Sequence, residues 1–111
     1  MNNAKIFLLS FLISLATLSC YGNESEKTLL LFTAKWCRYC TIAKNDIRNH
    51  DTISEKIKEY TIIEVDYDKD KDIAKGHNIN TLPTFIIFQD GKEIRRMSGY
   101  GGSNKLIDFL Q

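Results

Sequence analysis

The stretch Thr28-Leu29-Leu30-Leu31-Phe32-Thr33-Ala34-Lys35-Trp36-Cys37-Arg38-Tyr39-Cys40 decides how this chain is read. Its first half is a near-continuous apolar run, the pattern of a strand covered on both faces. Its second half places two cysteines, two residues apart, where that strand ends. Thr41 to Asn49 follows without glycine or proline, and Ile42, Ala43 and Ile47 recur at helical spacing. The cysteines therefore fall on a strand-to-helix junction. Three residues is nearly one helical turn, so both sulfurs lie on one face and can close a small ring.

The junction gives the two sulfurs different work. Cys37 sits at the helix N-terminus, where unpaired backbone N–H groups and the helix dipole favour a thiolate. Lys35 and Arg38 add positive charge beside it. The thiolate is the attacking species in thiol–disulfide exchange, which assigns Cys37 as nucleophile. Cys40, one turn inside the helix, is the less exposed thiol and resolves the mixed disulfide. Three blander readings compete. A structural disulfide across so short a loop gives little entropic stabilisation. Half a zinc site lacks a second cysteine pair, and His50 and His77 have no ligand-like spacing, so no metal is expected. Two small core residues are the third reading.

Outward from the pair, the other elements follow. Thr52-Ile53-Ser54-Glu55 has the form of a capping box and opens a second short helix with Ile53 and Ile57 turned inward. Thr61 to Asp66 is the next strand. Asp68 to Lys75 is polar with Ile73 and Ala74 facing in, and Gly76 suits a helix C-terminal cap. Thr84 to Phe88 is a third strand. Asp90-Gly91 signals a hairpin, returning through Glu93 to Met97 as a more polar edge strand. Gly99, Gly101 and Gly102 make a flexible joint. Ser103 or Asn104 can cap a last helix whose Leu106, Ile107, Phe109 and Leu110 share one face. The order is β-α-β-α-β-β-α. The first two strands are parallel through a right-handed crossover, and the last two form an antiparallel hairpin. An α/β four-stranded mixed sheet with helices on both faces is the natural packing.

The start of the chain reads as a targeting segment. Met1 to Lys5 is positive, Ile6 to Leu18 is apolar apart from Ser and Thr, and Ser19-Cys20 closes the run. The apolar run is shorter than the roughly twenty residues of a membrane span. Residues 1–19 are thus expected to be a signal peptide, 20–27 a tether and 28–111 the domain. A cysteine after a short apolar segment and a small residue resembles the lipobox of bacterial lipoproteins, although Thr17 stands where leucine is usual. That resemblance implies lipidation at Cys20, and it accounts for the odd cysteine of an exported chain. Net charge is +1 with a pI near 7.7, and no basic excess speaks for nucleic acid.

Trp36-Cys37-Arg38-Tyr39-Cys40 after an apolar strand resembles the active site of the thioredoxin family, and the element order matches the thioredoxin fold. A second signal agrees: the single proline stands in Thr81-Leu82-Pro83-Thr84, before the third strand, and resembles the family's cis-proline loop. Proline donates no hydrogen bond there, leaving the backbone of Leu82 to pair with an extended client segment. The resemblance implies that Trp36, Arg38, Tyr39, Leu82 and Pro83 form the client surface and that no cofactor is needed. Full-length thioredoxins begin with an extra strand and helix, for which there is no room here. Leu31 falls where cytosolic thioredoxins carry a buried aspartate that accepts the second thiol's proton. Glu64, on the next strand, is the candidate substitute, with a partly exposed structural glutamate as the alternative. The capped helix and the strand after it resemble the reductase domains of bacterial periplasmic thiol–disulfide interchange proteins. That implies a monomeric extracytoplasmic reductase, anchored to a membrane by lipid and fed by a membrane or periplasmic donor. An oxidase or isomerase, a non-catalytic binding module and a metal-handling lipoprotein are the other readings.

Overall fold

The computed structural model describes residues 26–111. The expectations for the signal peptide, most of the tether and Cys20 lie outside the described residues. The elements are β1 (Lys27–Thr33), α1 (Arg38–Asn49), α2 (Asp51–Ile57), β2 (Tyr60–Asp66), α3 (Lys71–Gly76), β3 (Thr84–Gln89), β4 (Lys92–Ser98) and α4 (Ser103–Phe109). The first crossover divides at His50, so the order element by element is β-α-α-β-α-β-β-α.

β1 is an inner strand of a four-stranded sheet of order β2-β1-β3-β4. It pairs in parallel with β2 and antiparallel with β3, placing Leu31 between Glu64 and Phe85. Alternation along β1 then serves two cores. Leu29 and Leu31, with Phe85 and Ile87, pack against Ala43 of α1, Ile53 of α2 and Leu106 and Phe109 of α4. Phe32 and Ile86, with Val65, pack on the opposite face against Ala74 of α3 and Ile79. This is why the run reads apolar at every position rather than every second one. Each large side chain fully buried here contributes about 1.5–3 kcal/mol by leaving water.

The two faces are covered unequally. α1, α2 and α4 lie on one face, whereas the six-residue α3 alone lies on the other. Beyond α3, Leu30, Phe88 and His77 line a shallow groove that Glu26 and Thr28 also border. His77 stands between the rings of Phe32 and Phe88, 5.7 Å from each.

The β3–β4 hairpin turns on Asp90 and Gly91 with φ values of 53° and 81°. Two successive positive φ values match the twist of antiparallel strands, and Asp-Gly tolerates them. Several local expectations are corrected. The capping box at Thr52 does not form: α2 begins at Asp51 with His50 as N-cap, and the Ser54 hydroxyl instead donates to the carbonyls of Ile47 and Arg48. His50 is at once the C-cap of α1 and the N-cap of α2, so α2 begins two residues early. Gly76 is the last residue of α3, and Asn78 takes the left-handed conformation with φ 57°. Gly102, not Ser103 or Asn104, caps α4, with φ 111° and no side-chain bond. Ile73 is 47% exposed because so short a helix turns only one side, that of Ala74, to the sheet. Ile42 is likewise exposed, and α1 packs through Ala43 and Ile47.

Three long-range bonds tie the helices to the sheet and to the loop after β4. The buried Tyr60 hydroxyl donates to the Leu110 carbonyl at 2.9 Å, one of the acceptors that the end of α4 leaves free. The Arg95 guanidinium donates to the carbonyl of Phe109, and the Tyr100 hydroxyl donates to the Asp46 carboxylate on α1. Tyr60→Phe keeps the ring and strands the carbonyl. It is expected to cost about 1 kcal/mol, read as a lower urea midpoint with an unchanged slope.

Candidate functional site: the Cys37–Cys40 pair

β1 ends at Thr33, and the chain turns before α1 through a bond from the Cys37 N–H to the Ala34 carbonyl, 3.1 Å. Cys37 is the N-cap of α1, with extended dihedrals (φ −86°, ψ 110°). Its Sγ accepts from the backbone N–H of Cys40 at 3.1 Å, in the place a serine or aspartate oxygen usually takes. The donor is one of the N–H groups that a helix start leaves unpaired, and no acid stands in the first turn to oppose it. Negative charge on this sulfur is therefore stabilised by the backbone itself.

Cys37 and Cys40 form a disulfide with Cα atoms 5.2 Å apart. Both are buried as residues, Cys37 at 6% and Cys40 at 1% exposure. The attacking sulfur thus lies in a small opening rather than on an open surface. Ala34, Tyr67 and Leu82 make the apolar seat. Tyr67 is set by its N–H bond to the Thr33 carbonyl, so the β2 end and the β1 end close around the pair together.

The residues expected to form the client surface fall into two groups. Trp36 and Tyr39 project from the rim at 68% and 59% exposure, and Arg38 is exposed between the cysteines. Trp36 is nonetheless held, because its indole N–H donates to the Asp68 carboxylate at 2.8 Å. Asp68 is placed in turn by Asp66, whose carboxylate accepts from the N–H groups of Asp68 and Lys69. Leu82 touches the cysteine cluster, Pro83 is buried, and the Leu82–Pro83 peptide bond is cis. The Pro83 carbonyl accepts from Gly99 N–H at 2.7 Å, while the backbone of Leu82 has no partner among the described residues. Gly99 holds φ 83°, which tethers this loop at a conformation that disfavours side chains.

Glu64 lies on β2 directly across from Leu31, which is buried in the larger core. Its Oε2 accepts from both Thr33 Oγ1 (2.7 Å) and Lys44 Nζ (2.8 Å). Partial burial acts to raise its pKa, but the bonds from Lys44 and Thr33 and the Lys44 charge outweigh it and hold it below the usual carboxylate value. The ion pair with Lys44 and the bond from Thr33 fit the alternative of a structural glutamate. Among the described residues, no three His, Cys, Asp or Glu side chains are arranged to hold a metal ion.

A thioredoxin-like domain family matches residues 16–111. This chain belongs to that family. It is 30% identical over 89 residues to a thioredoxin of Mycoplasmoides gallisepticum, covering 80% of this chain and 86% of that one. It is 34% identical over 78 residues to thioredoxin H2 of Arabidopsis thaliana, covering 69% of this chain but only about half (56%) of that longer protein. Among solved structures, Fasciola hepatica thioredoxin aligns with a TM-score of 0.63 and 26% identity over 86% of this chain and 88% of that one. A malaria-parasite thioredoxin-2 aligns with a TM-score of 0.67 and 26% identity, over 78% and 82% respectively. With the family and a CxxC disulfide in place, the chemistry is that of a thiol–disulfide oxidoreductase acting on protein thiols and disulfides.

Three site features carried no signal in the sequence. Asp68 sits in an alternating Asp/Lys run that gives no hint of which acid turns toward Trp36. Lys44 and Thr33 reach Glu64 across twenty and thirty-one residues, Thr33 through the parallel pairing of β1 and β2 and Lys44 through the packing of α1. Tyr67 follows the last β2 residue and reads as loop until the strand ends are aligned.

The lowered pKa of Glu64 means that its contacts favour the fold above the ordinary carboxylate range and that this contribution fades as pH falls through the folded value. The pair is well exposed, so Glu64→Gln is expected to cost no more than about 1 kcal/mol at pH 7. The gap to wild type is expected to close in acid, and the pH profile of disulfide reduction is expected to stay unchanged. Denaturant melts and single-turnover reduction across pH check the two halves.

Proposed function

We propose that this protein is an exported, membrane-anchored reductase of client disulfides. The observation that carries the redox part is the seat of Cys37: an N-cap sulfur held by the Cys40 N–H, beside a more deeply buried partner thiol. In the reduced protein, the Cys37 thiolate attacks one sulfur of a client disulfide and releases the other client sulfur as a thiolate. The Cys40 thiol then gives up its proton and attacks Cys37 Sγ, freeing the second client sulfur. The client gains two electrons and two protons in all, and the Cys37–Cys40 disulfide remains to be reduced by a donor.

Trp36, Arg38 and Tyr39 on one side and Leu82 with Pro83 on the other form the client surface in this reading. An extended client segment pairs with the free backbone of Leu82, which brings its disulfide to Cys37. Cys40, closed off by Ala34, Tyr67 and Leu82, reacts within the mixed disulfide rather than with solvent. The leading segment supports the location. A positive start, a short apolar run and Ser19-Cys20 favour export, with Cys20 as a lipidated anchor in the periplasm or cell envelope. A membrane or periplasmic dithiol protein then serves as electron donor.

Three measurements test this function. The protein is expected to reduce insulin disulfides with dithiothreitol present, and Cys37→Ser is expected to be inert. Equilibration with glutathione is expected to give a reducing potential; a strongly oxidising value assigns the protein to the oxidase side instead. For the anchor, growth with labelled palmitate is expected to label the wild type and to leave Cys20→Ala unlabelled. Label retained on Cys20→Ala, or none on the wild type, removes the lipid anchor.

A further inference from the structure

We propose that the rim of the Cys37 site selects client segments that carry an acidic residue within two positions of the attacked cysteine. This rests on the oxidoreductase reading and adds the chemical class of the client. The motif Lys35-Trp36-Cys37-Arg38-Tyr39 alternates charge and ring about the nucleophile. Lys35 and Arg38 are exposed, and neither has an ion-pair or side-chain hydrogen-bond partner among the described residues. Arg48, Lys69, Lys71, Lys75, Lys92 and Lys105 are unpaired there as well, so what sets Lys35 and Arg38 apart is their place beside Cys37 in the chain.

Asp68 receives the Trp36 indole N–H and Asp66 the backbone of its own loop, so both carboxylates stay charged on the Trp36 side of the rim, and the positive side is that of Lys35 and Arg38. The first turn of α1 contains no acid. A client strand laid along Leu82 with its sulfur at Cys37 therefore meets two unpaired positive charges within a residue or two of the reacting atom. The exposed faces of Trp36 and Tyr39 shed water when the client docks, which strengthens any charge pair formed beside them. The Arg38 guanidinium offers a planar fork suited to a carboxylate. A basic client meets the same charges as repulsion, so one arrangement both attracts and rejects.

The redox step is unchanged: the client disulfide takes two electrons and two protons, and Cys37–Cys40 is left oxidised. Only the encounter and the lifetime of the docked complex depend on client charge. Two peptides, each closed by one disulfide and differing only in Asp or Lys next to the attacked cysteine, serve as probes. Uncharged 2-hydroxyethyl disulfide is the control. The reduced full-length chain is expected to reduce the Asp peptide about tenfold faster than the Lys peptide at low salt. The ratio is expected to fall toward one at about 0.5 M NaCl, where screening is short-ranged. Arg38→Glu is expected to lower or invert the ratio, and Arg38→Lys to keep most of it. Each ratio compares two peptides on the same nucleophile, so a change in Cys37 reactivity cancels.

A low-salt ratio near one overturns the proposal, as does a ratio that survives in both Lys35→Glu and Arg38→Glu. Activity on 2-hydroxyethyl disulfide in those cases leaves the oxidoreductase reading standing. Loss of activity on that control in the wild type removes both.

Discussion

A strand buried on both faces can end only where its backbone and the chain beyond it find new partners, and the whole site depends on how β1 ends. Leu29, Leu31 and Phe32 commit β1 to the centre of two cores, and β2 and β3 take its hydrogen bonds on either side. The chain leaves this strand at Thr33 and must begin α1 within a few residues. Cys37 falls at that start and becomes its cap. The N–H that makes a helix start costly to leave unpaired is the one aimed at the sulfur. The hold on the sulfur and the start of the helix are thus one interaction.

The neighbouring elements act on the same point. Pairing in register brings the ends of β1 and β2 level, so Tyr67 and Leu82 can close over the pair while Asp68 reaches Trp36. The result is a sharp contrast over a few residues. The sulfurs sit in an apolar seat, and the rim beside them carries exposed rings and unpaired cations. Low local dielectric strengthens the cap's hold on a charged sulfur, while the rings and cations of the rim stay exposed. Glu64 joins α1 to the sheet through Lys44 and Thr33.

The uneven cover of the sheet has a simple cause. α1 and α2 fill the first crossover, and α4 returns to the same face, leaving only α3 to cover the other. A six-residue helix shields Phe32, Ile86 and Val65 but not Leu30 or Phe88. Ile73 is exposed for the same reason, since helical spacing says which residues share a face but not whether anything lies opposite that face.

Much of this molecule was written locally. An apolar run with no polar alternation could only be an inner strand, two cysteines one turn apart could only share a face, and Asp90-Gly91 could turn a hairpin. Those features depend on neighbours in the chain, and sequence alone determined them. The details that failed or were silent depend on distant residues. His50 displaced the cap at Thr52 because α1 fixed where α2 begins, and Gly102 took the cap of α4 because the preceding loop arrives with a positive φ. Asp68 and Trp36 are thirty-two residues apart, and Lys44 and Glu64 twenty. Which acid holds the indole, which cation is spent and which stays free were decided by strand register and packing. Only the tertiary structure sets those, because a charge acts through distance in space rather than position along the chain.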